Sequence, residues 1–343
     1  MKRLLGIHLC VLVVFAVTCM AASLSLAQDK PVTLKVANWF PVGHKQDVLL
    51  KEWGQELEKR CNGKVKVSYH PAGTLVPAAQ SYDACVKGIT DVGNQVLGYA
   101  MGRFPFLQVL DLPIGFPPGQ APTKIANAVY NKFKPKELDD VKVLWLHSMP
   151  DGLLHTRAKP VRKLEDIQGL KIRCFGSNAK FIGLLGAAPV AIPAPDVYDA
   201  LSKGVVDGML WSYEALKGFR VGEFVKYTNE NTNTAYGAVF AVVMNKKKWN
   251  ALPPDIQKIV DELSSEYIEK YAKMWEDINT EGKQWLKDRG DELIALSPEE
   301  QARWYEKGAK PVVDEYLKEM KVKGLPGEEA MKFIEECFKE YKK

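Results

Sequence analysis

Residues 63–93 read GKVKVSYHPAGTLVPAAQSYDACVKGITDVG, and this stretch decides the fold class. Its opening, Val65-Lys66-Val67-Ser68-Tyr69, alternates apolar and polar positions, the pattern of a strand with one buried face. Pro77 then opens a helix to about Val86, Gly88 stops it, and Asp91-Val92-Gly93 begins another strand. Upstream, Thr33 to Asn38 (TLKVAN) predicts a strand, and Val48, Leu49, Trp53 and Leu57 share one helical face over about 45–60. This β-α-β-α-β run implies a parallel sheet with crossover helices. Downstream, 105–118 holds four prolines and reads as loop, 122–134 as helix and Val141 to His147 as strand.

A second unit of the same kind follows. Gly169 to Arg173 and Ala188 to Ile192 are predicted strands. Asn178 to Gly186 and Val197 to Lys203 are predicted helices, the latter closed by Gly204. Val205-Val206-Asp207-Gly208 opens the next strand, and Val239 to Met244 is an apolar strand expected to return to the first sheet. The spacing from Gly88 to Asp91 recurs from Gly204 to Asp207, a weak internal repeat. Two α/β lobes joined by crossing strands place a ligand cleft between them. Residues 254–288 carry apolar positions stepping by three or four. A helix of that length runs about 50 Å and would cross both lobes.

Composition narrows the class further. The 343 residues are 46% hydrophobic and 26% charged, ordinary globular usage that excludes disordered and low-complexity classes. Met1-Lys2-Arg3, an apolar run from Leu4 to Met20 and the small residues Ser25 and Ala27 form a secretory signal with cleavage expected before Gln28. A membrane anchor is the alternative, and the following cleavage site argues against it. Removing Lys2 and Arg3 leaves a formal charge of +3, too weak for a nucleic-acid partner. The five histidines form no HExxH, Cys61, Cys85, Cys174 and Cys337 form no CxxC, and no nucleophile elbow or phosphate loop is present. No enzyme, cofactor or metal is therefore expected.

Taken together, the motifs resemble those of the substrate-binding subunits of TRAP transporters, the DctP family. They are Gly63 to Val67 followed by Pro71-Ala72-Gly73-Thr74-Leu75, Gly88 to Gly93, Asp111-Leu112-Pro113, Leu164 to Arg173, Gly204 to Gly208, and Met244-Asn245-Lys246 with Trp249 and Leu252-Pro253-Pro254. The resemblance covers nearly the whole chain beyond the signal. It implies a two-lobe α/β fold, the type II periplasmic-binding-protein fold, with a ligand cleft and a long spanning helix. The expected division is a signal peptide at 1–27, lobe I at 28–151 plus about 240–252, lobe II at 152–239, the long helix at 253–290, and a C-terminal helical segment at 291–343. The implied activity is capture of a small organic acid for a membrane permease, by a soluble periplasmic monomer that does no catalysis.

Arg173 is the principal site candidate. A guanidinium offers a planar fork matched to a carboxylate, and the resemblance places the ligand-clamping arginine there. Phe175 lies in the adjoining turn. By the same resemblance Trp39 ends the first strand at the ligand, and Gln95 and Tyr99 follow the third. Val96 and Tyr99 stand where sialic-acid-binding members carry charge, and Leu153 where they carry a second arginine. Trp211-Ser212-Tyr213-Glu214 replaces a frequent asparagine, so Trp211 and Tyr213 offer aromatic walls and Glu214 a possible cation ligand bridging the acid. Aromatic walls favour a monocarboxylate with a hydrophobic or aromatic body. Two other roles stay open from residues alone: an input protein for a sensor, and an exported enzyme with Arg173 as anion anchor and Cys174 as nucleophile. Cys61 and Cys85 are expected to be free, buried thiols. In a 2-1-3 sheet their helices lie on opposite faces, usually too far apart for a disulfide, and a Cys61–Cys85 bridge stays open only through helix ends that meet at the sheet's lower edge.

Overall fold

The computed structural model describes residues 30–100 and 102–341; the expected signal peptide lies outside the described residues. The first lobe runs β1 (Val32–Ala37), α1 (Lys45–Arg60), β2 (Val65–His70), α2 (Ser81–Val86), β3 (Val92–Val96) and α3 (Ala121–Phe133). It continues into β4 (Val141–Thr156), which leads to β5 (Lys171–Cys174), α4 (Ser177–Leu185), β6 (Ala188–Ala191), α5 (Val197–Ser202), β7 (Gly208–Trp211) and α6 (Tyr213–Gly218). The chain returns through β8 (Tyr227–Asn229) and β9 (Tyr236–Asn245) to the long helix α7 (Pro254–Asp288), then β10 (Glu292–Ile294), α8 (Pro298–Trp304), α9 (Lys310–Lys323) and α10 (Gly327–Tyr341).

Strand order is β2-β1-β3-β9-β4-β7-β5-β6. The outer trios are parallel, and β9 and β4 enter antiparallel. Thus 2-1-3 in one lobe is matched by 6-5-7 in the other, and the Gly-x-x-Asp spacing marks the equivalence. The Asp91 carboxylate accepts the Lys35 N–H at 2.8 Å, and the Asp207 carboxylate accepts the Lys171 N–H at 2.8 Å. Each thereby ties the start of its lobe's third strand to the first. Gly88 and Gly204, at φ +76° and +69°, let the preceding helix turn into that strand.

β4 is longer than the predicted strand. It pairs with β9 from Val141 to Gly152 and with β7 from Leu153 to Thr156, so one strand belongs to both lobes. Pro150-Asp151-Gly152 reads as a turn signal, but the structure makes it a register shift within a continuous strand. Asp151 sits at φ +25°, and a Cβ on Gly152 would overlap the Tyr236 ring. α7, 35 residues long, buries Val260, Leu263, Tyr267, Tyr271, Trp275 and Leu286. It packs against α1, α3 and β4 of the first lobe's run and against α6 of the second. Among the described residues no helix is long and apolar enough to cross a membrane. Cys61, Cys85, Cys174 and Cys337 are free and buried.

Candidate ligand-binding site between the lobes

Arg173 lies in β5 between Val190 of β6 and Met209 of β7, and its side chain is fully buried. Its Nε donates to the Ile192 carbonyl at 2.9 Å, and Nη1 reaches the Leu210 carbonyl at 3.4 Å. Nη2 is buried and makes no hydrogen bond with a described residue. The guanidinium lies 4.4 Å from the Trp211 ring and 5.0 Å from the Phe175 ring, over their faces. No carboxylate pairs with it among the described residues. A buried, unneutralised cation is costly, and an entering anion removes that cost.

Around it is a cavity of about 10 Å³, lined by Trp39, Phe40, Val96, Tyr99, Met149, Arg173, Phe175, Ala194, Trp211, Glu214, Phe219, Ala238 and Phe240. That is room for about one water. Trp39 and Phe40 of the first lobe lie 6.4 and 5.8 Å from Phe219 of the second, so rings from both lobes meet. Tyr99 spans the lobes: its hydroxyl accepts the Ala194 N–H at 2.9 Å, and its ring meets Phe175 edge-on. Burial raises the Tyr99 pKa, and the neighbouring Arg173 charge partly offsets it.

One wall is fixed from behind by His147. Trp275 of α7 donates its Nε1–H to His147 Nδ1 at 3.1 Å, so His147 carries its proton on Nε2 and donates to Asn94 Oδ1 at 3.2 Å. Burial holds its pKa well below the usual value and keeps it neutral. The ring stacks on Phe240 at 4.7 Å, and the Asn94 carbonyl accepts the Trp39 Nε1–H at 3.1 Å.

Of the residues singled out from sequence, Arg173, Trp39, Tyr99, Phe175, Trp211 and Glu214 line this cavity. Gln95 and Tyr213 do not. In a strand, successive side chains face opposite sides, so Val96 facing the cavity turns Gln95 away, toward Gly93. Tyr213, itself buried, turns away from the cavity and donates to Glu230 at 2.7 Å. Phe40, Met149, Phe219, Ala238 and Phe240 were not anticipated. They read as ordinary core in sequence, and only the passage of β4 and β9 through both lobes brings Met149, Ala238 and Phe240 to the cleft. A larger recess of about 950 Å³ opens to solvent beside Asp151, Tyr213 and Tyr305, but its Lys283 is already paired with Glu230 at 2.5 Å.

Cys174 is fully buried, bonds Ile172 at 3.6 Å, and burial pushes its pKa up to about 11 despite Arg173. It is therefore a neutral thiol, not an activated nucleophile. His155 bonds Thr228 and the Trp211 carbonyl, and His147 is committed as described, so neither serves Cys174. Among the described residues no group of three His, Cys, Asp or Glu could hold a metal, and Glu214 faces His44 instead.

Two α/β lobes closing on an anion-seeking arginine define a solute-binding protein. Residues 37–319 match the bacterial extracellular solute-binding proteins, family 7 (DctP), and the chain belongs to that family, the substrate-binding proteins of TRAP transporters. The family comprises solute-binding proteins rather than enzymes. The fold is shared with a TRAP periplasmic solute-binding protein from Desulfovibrio salexigens (32% identity, TM-score 0.78, 89% of this chain and 95% of that one). It is also shared with a marine-metagenome TRAP protein co-crystallised with 3-hydroxybenzoate (27%, TM-score 0.84, 92% and 100%). A third match is a Bordetella bronchiseptica TRAP protein with bound mandelate (28%, TM-score 0.83, 90% and 99%).

Proposed function

We propose that this protein is exported to the periplasm, captures an aromatic monocarboxylate there and delivers it to the membrane subunits of a TRAP permease. The single observation that carries the ligand class is the buried, unpartnered Nη2 of Arg173 inside a cavity walled by aromatic rings. Among the described residues of that lining Arg173 is the only cationic side chain, so one carboxylate is neutralised there. Glu214 is the only acid among those described residues, and a second ligand carboxylate would meet its like charge. Trp39, Trp211, Phe219 and Phe240 offer flat faces for a ring. The aromatic acids held by two of the similar structures agree with this choice.

Loading requires the lobes to part, because the closed cavity holds about one water. The acid then meets Arg173, and contacts to both lobes favour reclosure. A thermal-shift panel followed by calorimetry tests the reading. Benzoate, 3-hydroxybenzoate and mandelate are expected to raise the melting temperature, and succinate to leave it unmoved. Strong stabilisation by succinate with none by the aromatic acids would overturn it.

A further inference from the structure

We infer that His44 and Glu214 are a positioning pair that latches the two lobes together and seals the mouth of the cavity. The inference rests on the cavity being the ligand site. His44 precedes α1 in the first lobe, Glu214 lies in α6 of the second, and Nε2 meets Oε2 at 3.1 Å. Both side chains are almost completely buried, 3% and 2% exposed. Glu214 lines the inner cavity, and both residues line an outer recess of about 340 Å³ that also touches Val42, Lys45 and Lys217. The pair is thus part of the partition between the cavity and a recess that opens to solvent.

The partition is built rather than incidental. His44 Nδ1 accepts the Gln46 N–H at 3.2 Å, so the ring proton resides on Nε2 and is donated to the Glu214 carboxylate. The ring is held between Phe40, 4.8 Å away, and Phe219, 5.3 Å away. The Glu214 N–H is held by Asn279 of α7 at 3.2 Å. Residue 218 is glycine, and a Cβ there would stand 2.5 Å from His44 Nε2 and 2.9 Å from Glu214 Oε2, so the pair would have to shift. Ligand escape on this side requires the bond to break, so the pair governs the dissociation rate.

Two variants separate the latch from simple folding effects. His44→Phe keeps the aromatic packing and removes the donor, while Gly218→Ala wedges the pair apart and deletes neither group. Nitroxides on Ile89→Cys and Val205→Cys, one exposed site per lobe, report interlobe distance with the four native thiols buried. In the ligand-free protein both variants are expected to shift the distance distribution to longer values. Glu214→Gln, which retains an acceptor, should stay closer to wild type than Glu214→Ala. With 3-hydroxybenzoate as probe, stopped-flow dissociation should quicken about tenfold, equivalent to about 1.4 kcal/mol, with association little changed. Wild-type distances in both folded variants would overturn the latch. If no aromatic acid binds, the ligand reading falls while the distance measurement still decides the latch.

Discussion

Arg173 is held by two main-chain carbonyls and turns its remaining nitrogen into the cavity, so its geometry is set before a ligand arrives. Removing it should cost aromatic-acid affinity by roughly 2–5 kcal/mol, the usual loss when a buried charged partner is deleted. Calorimetry on Arg173→Ala checks this, and an unchanged dissociation constant would remove Arg173 from the site. Arg173→Lys should recover little, since a point charge cannot bond both carbonyls and grip a carboxylate in two parallel bonds. In sequence it is the resemblance that singles out this arginine, at the end of a predicted strand beside a turn. The aromatic wall was legible only in part. Trp39 and Trp211 lie at the ends of strands that stop at the cleft, whereas Phe240 looks like any core phenylalanine until the crossing strand β9 is traced, and Phe219 until the end of α6 is placed against it. Gln95 and Tyr213 lie in segments that reach the cavity, but neither side chain lines it.

Among the elements, α7 shows how close helix approach depends on one residue. Gly282 lies directly under the Tyr213 carbonyl, and a Cβ there would overlap it and crowd the Glu214 N–H at 3.0 Å. Gly282→Ala is expected to destabilise by about 1–3 kcal/mol through overpacking. Gly183, exposed in α4 with nothing within 4 Å of its Cβ position, supplies the control. Gly183→Ala should stabilise by about 0.4–1 kcal/mol, because alanine costs the helix less backbone entropy. Urea denaturation of both variants tests the pair, and shifts of the same sign would contradict the packing described. The length of α7 was plain from its periodicity, but this contact was not, since a glycine inside a helix carries no sign of what it faces. β4 failed in the opposite direction. Its Pro-Asp-Gly looks like a stop, yet Asp151 is secured by Asn279 of α7 at 2.8 Å and the strand continues through the shift. Asn279 also holds the Glu214 N–H, so one amide of the long helix contacts both the crossing strand and the latch.

For the molecule as a whole, two kinds of buried titratable group oppose each other in acid. Burial pushes His155 down to about 4 and holds His147 well below its ordinary 6.5. Both contribute stability that is complete above pH 6.5 and is lost as pH falls, because the unfolded chain binds the protons they refuse. Asp111 and Asp151 are pushed from 3.8 up to about 7, again by burial, with Asn279 and Lys283 partly opposing the shift at Asp151. Their contribution is complete below pH 3.8 and is lost as pH rises through 7, because the folded chain holds the protons. Between about pH 4.5 and 6.5 the histidines and the two aspartates therefore pull in opposite directions, His155 and each aspartate by up to about 1.4 kcal/mol per pH unit near the middle of that window. Removing one member exposes the other side. Relative to wild type, Asp151→Asn should gain stability at that slope as pH rises through the window, its amide oxygen still accepting from Asn279. His155→Gln should gain at the same slope as pH falls, its amide still able to bond Thr228 and the Trp211 carbonyl. Chemical denaturation at several pH values measures both differences. Slopes of opposite sign are expected, and profiles parallel to wild type would show that these groups titrate alike in the folded and unfolded chain.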